Sequence, residues 1–208
     1  METGRSLVPW VALGVVSVAL AVSGVHPHDR LTWLLEVAPV VIGIPLLLAT
    51  GRTFPLSHLL YALLAIHALI LIYGGAYTYA RVPLGFWMQD WLDLARNPYD
   101  RLGHFAQGFV PAIAAREILL RRSPLRPGKW LAFLVVCVCL AISATYELIE
   151  WLSAVIMGQG ADEFLGTQGD SFDTQADMAM ALLGAVIAQA VLARRHDRDL
   201  TRLALMRG

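Results

Sequence analysis

The stretch GDSFDTQADMAMALLGAVIAQAVLARR, residues 169–195, decides what kind of molecule this is. From 178 to 193 it is apolar except for Gln189, and it closes on Arg194 and Arg195. About 20 such residues in a helix cross the ~30 Å hydrocarbon layer of a bilayer. Yet the same stretch opens on Asp170, Asp173 and Asp177, whose spacing puts the acids on one helical face running into the apolar segment. A carboxylate at mid-membrane costs about 2.5–3.5 kcal/mol on insertion scales. Such acids persist where they face a bundle interior or a wet cavity and find partners there.

The rest of the chain repeats the apolar pattern. Its 208 residues are 57% hydrophobic and 15% charged, with a mean hydropathy of +0.60, where a soluble domain carries about a quarter charged residues. Long apolar runs without amphipathic stripes predict an all-α polytopic membrane bundle of about six transmembrane helices, forming a single integral membrane domain over 1–208. The spans are expected at about 7–25, 31–50, 57–73, 101–120, 130–156 and 174–193. Pro39 and Gly43-Ile44-Pro45 are expected to bend or break the second. Residues 19–23, ALAVS, faintly resemble a signal-cleavage site, and cleavage would leave five spans. Cys137 and Cys139 point to different faces of one helix and read as small core residues rather than a disulfide.

The formal net charge is zero, but the basic residues are uneven. Arg52, Arg121, Arg122, Arg126, Lys129 and the arginines of 194–207 gather with Arg5 on one side, against Arg30, Arg81 and Arg96 on the other. Positive residues in short loops stay in the cytoplasm. Both termini are therefore expected there, in a multi-pass protein of the cell inner membrane. The loops 26–30, 74–100 and 157–173 should face outward, to the periplasm in a Gram-negative cell. Topology accounts for these arginines, so they point to membrane lipids and not to a nucleic-acid partner. The sequence leaves the oligomeric state open.

Three polar groups then fall at one depth, in the outer half of the membrane. NPYDRLGHFAQGFVPA, residues 97–112, places Asp100, His104 and Gln107 at i, i+4, i+7; ATYELIEWL, residues 144–152, places Glu147 and Glu150 at i, i+3. Together with the aspartates of the last span they outline one acidic cleft. Acids this close need protonation, pairing with Arg101 or a charged His104, or a bound metal ion. Carboxylates with one imidazole suit Mg²⁺, Mn²⁺ or Zn²⁺, making His104, Glu147, Asp170, Asp173 and Asp177 candidate ligands. His104, Glu147 and Asp177 are also the candidate catalytic groups, with Asp100, Arg101, Gln107, Glu150 and Arg81 in support. Plainer readings stand beside these. Asp170 or Asp173 caps a helix, Glu150 sits at the interface beside Trp151, His104 is structural, and Arg101 is an anchor with Asp100 its exposed partner. The outer loop, with Tyr77, Tyr79, Phe86, Trp87 and Trp91, reads as an aromatic belt with a short helix lying flat. The other reading is a lid whose Arg81 and Arg96 meet an anionic head group.

YGGAYTYARVPLG, NPYDRLGHFAQGFVPA, ELIEW and GTQGDSFDTQADM together resemble the YjdF-type inner-membrane proteins, a family of uncharacterised function, over about residues 30 to 193. More distantly, Asp100-Arg101-x-x-His104, Glu147 and Asp173-x-x-x-Asp177 with Gly184-Ala185 are similar to the pattern of VanZ-like proteins. That family, associated with low-level glycopeptide resistance, arranges Asp-Lys-x-x-His, a later Glu and Arg-x-x-x-x-Asp over four spans. This chain departs from it with Arg101 for lysine, Asp170 near the place of an arginine, and Ala179 and Met180 where asparagine is common. The resemblance implies a shared core of the last three spans and names no substrate.

Three functions fit this sequence. The leading one is an enzyme-like membrane protein with an outward acidic cleft, metal-assisted, acting on a lipid-linked or envelope substrate. The second is a transporter or proton/cation conduit. It needs a polar path inward, for which the inner halves of the last three spans offer little beyond Gln189 and Ser143, with His67 isolated in the third span. The third is a non-catalytic assembly or lipid-binding protein whose polar cluster fixes helix packing.

Overall fold

The computed structural model describes residues 7–157 and 167–205. Among these the chain is all-helical: α1 (Val8–Ser23), α2 (Arg30–Thr50), α3 (His58–Tyr77), α4 (Pro83–Leu92), α5 (Tyr99–Arg122), α6 (Lys129–Met157) and α7 (Asp173–Leu205), with a 3₁₀ turn at Tyr79–Arg81. Four of them, α2, α3, α6 and α7, are long and apolar enough to cross a membrane, and α1 is an apolar helix of 16 residues. The low hydropathy of α5 follows from Asp100, Arg101, Arg116, Glu117, Arg121 and Arg122. Residues 1–6, 158–166 and 206–208, which include both expected cytoplasmic ends and most of the expected outer loop 157–173, lie outside the described residues.

Each expected span falls on a helix, with two differences in detail. The second is not broken: α2 runs unbroken through Pro39 and Pro45. Unwinding in apolar surroundings would leave backbone groups without partners, which costs more than the bonds proline removes. The sixth, expected to stop near 193, continues to 205. At ~1.5 Å per residue α7 is about 50 Å long, well beyond the ~30 Å of hydrocarbon. Its polar extension stays helical because its charges find partners, Asp199 with Arg202 at 3.8 Å and Asp197 with Arg116 at 2.7 Å.

The helices form two groups joined through α3. On one side α1 and α2 lie against α3, around Val16, Val37, Val40 and Ile72. On the other, α5, α6 and α7 pack together around Ala112, Ile113, Val135, Cys139, Ala185 and Ala188. Cys137 and Cys139 are free thiols, Cys139 in the core as expected and Cys137 exposed on the opposite face of α6 instead. The closest pair is α5 with α7, where small residues bring two backbones into contact. A Cβ on Gly108 would lie 1.8 Å from the Ala181 carbonyl oxygen, and one on Gly184 would lie 2.2 Å from that of Phe105. This crossing fixes the register that brings the acids of α7 beside the start of α5.

Candidate functional site

The site is positioned by two loops that clasp each other. The Asn97 N–H donates to Gln168 Oε1, and Gln168 Nε2 donates back to the Asn97 carbonyl, both at 3.0 Å. Gln168 and Gly169 take left-handed backbone angles, φ 47° and 85°, so the GTQGDSFD turn needs glycine at 169. Asn97 also anchors inward, its Nδ2 donating to the Val82 carbonyl and its Oδ1 accepting from the Tyr99 N–H. The clasp sets the start of α5 against the start of α7.

Two arginines and three aspartates meet there. Arg101 Nη2 lies 2.9 Å from Asp170 Oδ2 and 2.9 Å from Asp173 Oδ1, while its Nη1 lies 2.5 Å from Asp177 Oδ1. Arg96 Nη2 is 2.7 Å from Asp173 Oδ1, and its Nη1 donates to the Thr167 carbonyl. Asp170 is the most exposed member. A backbone N–H from Phe172, helped by the two arginines, holds its carboxyl below the ordinary aspartate range. Asp173 and Asp177 are buried.

One turn deeper lies His104, buried between carboxylates from three helices. Its Nδ1 is 3.1 Å from Gln107 Oε1 and 3.7 Å from Glu147 Oε1. Its Nε2 is 3.6 Å from Asp100 Oδ1 and 3.9 Å from Asp177 Oδ1. With the Gln107 oxygen accepting from Nδ1, the other ring nitrogen and two carboxylate oxygens converge on one point. Three acceptors face to face repel unless a proton or a cation lies among them. Glu147 Oε1 is buried with no hydrogen-bond partner among the described residues, and Asp177 Oδ1 lies against the Arg101 guanidinium.

A metal fits this group if its side chains close inward. One ligand atom each from Asp100, His104 and Asp177 lie within 4.8 Å of one another. Tetrahedral ligands at roughly 2.0–2.2 Å from one ion lie about 3.3–3.6 Å apart, so the group must close by up to about 1.5 Å to hold one. Of the acids expected as ligands, Asp170, Asp173 and Asp177 all lie against arginine, and Asp100, expected in a supporting role, gathers with His104 and Asp177. Arg96 is likewise engaged by acids. Arg81 is exposed at the end of the 3₁₀ turn, and Glu150 is half-buried near the end of α6. In the outer loop, α4 is the expected short helix, carrying the exposed, stacked pair Trp87 and Trp91. Tyr79, by contrast, is buried against Gly74 and Gly103.

Two features have no counterpart in the sequence reading. Glu36 of α2 is buried near the site, accepting from Tyr146 Oη at 3.2 Å, and the Tyr146 ring stands edge-on to His104 at 6.3 Å. A lone acid in an apolar span was the available signal. The second is a buried network at the opposite, arginine-rich end, in half-spans expected to hold little polarity. Glu117 Oε1 accepts from the Ser57 N–H and Arg121, and its Oε2 accepts from Ser57 Oγ at 2.6 Å and pairs with His196 Nε2 at 3.0 Å. Arg116 donates to His196 Nδ1 at 2.8 Å and to Asp197 at 2.7 Å. Arginine has no acceptor, so Nδ1 carries no proton and Nε2 donates to Glu117. An acid inside AIAAREILLRR, four residues before Arg121, was the signal for this network.

The comparisons with known proteins also give a membrane protein. Residues 8–198 match the family model described as "Predicted membrane protein (DUF2238)". The chain belongs to this family. It is 60% identical over 193 residues to the inner membrane protein YjdF of Escherichia coli (strain K12), covering 93% of this chain and 92% of that one. No solved structure matches it. The DUF2238 family thus supplies a membrane class, and the chemistry must come from the site.

Proposed function

We propose that this DUF2238 protein is an inner-membrane enzyme whose acidic end opens to the periplasm, where a divalent ion and the His104 pocket act on a lipid-linked or envelope substrate. The reading is carried by one observation: the His104 ring nitrogen, Asp100 and Asp177 converge in a buried place. Asp100, His104 and Asp177 would hold the ion, which supplies Lewis acidity to a substrate oxygen. Glu147, with a free oxygen 3.7 Å from His104, is placed to take or return a proton. Arg101 would supply positive charge beside Asp177. The outward orientation rests on the arginine-rich opposite end, as the positive-inside rule requires. The gathering of Asp100, Arg101, His104, Glu147 and Asp177 also favours the relation to VanZ-like proteins.

A conduit would use the same acids together with the Glu117–His196 network on the same two helices. The tight α5–α7 crossing at Gly108 and Gly184 lies between the two clusters and speaks for the enzyme reading. The test is metal analysis of the purified chain, with His104→Ala as control. About one ion per chain, lost in the variant, supports the proposal; a metal-free protein that carries ions across liposomes would replace it with the conduit.

A further inference from the structure

The helices α1, α2 and α3 line a slot of about 910 Å³ that none of the chemistry above uses. This lies within the roughly 300–1,000 Å³ typical of ligand sites. Its walls are apolar, among them Trp10, Pro39, Ile44 and Leu64, and Gly43 opens one wall, since a Cβ there would meet nothing within 4 Å. At the arginine-rich end the lining turns polar with Arg52, His58 and Tyr61. Tyr61 Oη accepts from the Leu56 N–H at 3.4 Å, so its own proton is free to donate. A smaller cleft of about 170 Å³ shares His58 and Leu203 with the slot and adds Arg195, Asp199 and Arg202. Arg52, Arg195 and Arg202 are all exposed. Three arginines against one aspartate therefore edge the mouth of an apolar slot of acyl-chain character.

We propose that this slot binds an anionic phospholipid of the surrounding membrane, with one acyl chain between α1, α2 and α3 and its phosphate at the rim formed by Arg52, Arg195 and Arg202. Charge complementarity selects the occupant. Basic side chains at a membrane surface draw anionic lipids, and arginine meets a phosphate with two parallel hydrogen bonds. A zwitterionic lipid offers the same chain without the net charge. One polar side chain, His67, borders the deep part of the slot, and its Nε2 has no hydrogen-bond partner among the described residues. A hydrocarbon chain makes no use of it, so its removal should not weaken binding.

The experiment is native mass spectrometry of the full chain in mild detergent, with phosphatidylglycerol, phosphatidylcholine of the same acyl chains, or inorganic phosphate. Wild type should retain phosphatidylglycerol about tenfold better than phosphatidylcholine. Gly43→Phe, whose Cβ meets nothing within 4 Å and whose ring adds bulk to the wall of the slot, should abolish retention of both lipids. Arg52→Gln with Arg195→Gln should reduce phosphatidylglycerol to the phosphatidylcholine level, and His67→Leu should change nothing. Equal retention of the two lipids, or phosphatidylglycerol binding untouched by Gly43→Phe, would overturn the proposal. So would binding of inorganic phosphate as strong as that of the lipid. Loss of binding in His67→Leu would also overturn it, pointing instead to an oxygen-bearing ligand such as a quinone.

Discussion

The two ends of the α5–α7 pair carry buried polar clusters of similar size and opposite character. At the arginine-rich end the Glu117 carboxylate receives four donors, and both nitrogens of His196 are used. At the acidic end Glu147 Oε1 is buried with no hydrogen bond among the described residues, and the His104 ring faces more acceptors than donors. A closed network fixes geometry and asks for nothing further. An open one is costly as it stands and gains from a ligand. The first end reads as a clamp and the second as a site.

Substitutions can break this comparison, and the largest effect should come from the clamp. Glu117→Gln leaves Arg121 and the His196–Arg116 arm without their buried counter-charge, at a cost of about 3–5 kcal/mol in denaturant unfolding in detergent. Gly108→Ala comes next, because its new Cβ overlaps the Ala181 backbone, which cannot swing aside. Overpacking of this kind costs about 1–3 kcal/mol, and the same titration reads it. At the open end, Glu147→Gln should change stability by less than about 1 kcal/mol, since the oxygen it alters has no hydrogen bond to lose. A large loss there would make both ends structural.

The smallest effect, Asp170→Asn, sharpens the comparison through pH. Asp170 is the most exposed of the three aspartates, and its carboxyl is held low by the Phe172 N–H and then by Arg96 and Arg101. A lowered carboxyl contributes above its unfolded value, roughly pH 3.9, and the contribution is lost as pH falls through the folded value. Thermal unfolding should therefore separate wild type slightly from Asp170→Asn at neutral pH, with the curves converging in acid. Divergence in acid would mean that Asp170 is not held by these partners.

The membrane helices were legible because each apolar run answers to one requirement, a span of hydrocarbon. The stripe Asp100, His104, Gln107 and the pair Glu147, Glu150 were legible because helical spacing alone sets which side chains share a face. Which acids bind the arginines was not, because that depends on the clasp between Asn97 and Gln168, residues 71 apart in sequence. Glu36 is a single acid whose partner, Tyr146, lies four helices away in the chain. Arg116, Glu117 and His196 were hidden by position, since basic residues at that end already had a topological explanation.

The most direct test of an open site against a closed clamp is the thermal unfolding of the purified chain with and without Mn²⁺ or Zn²⁺. An ion at 100 times its Kd adds about 2.7 kcal/mol to the folded state. Wild type and Ser57→Ala, altered only at the clamp, should shift upward together, while His104→Ala should not shift. No shift in wild type, or an equal shift in His104→Ala, would contradict the assignment of the acidic end as a site.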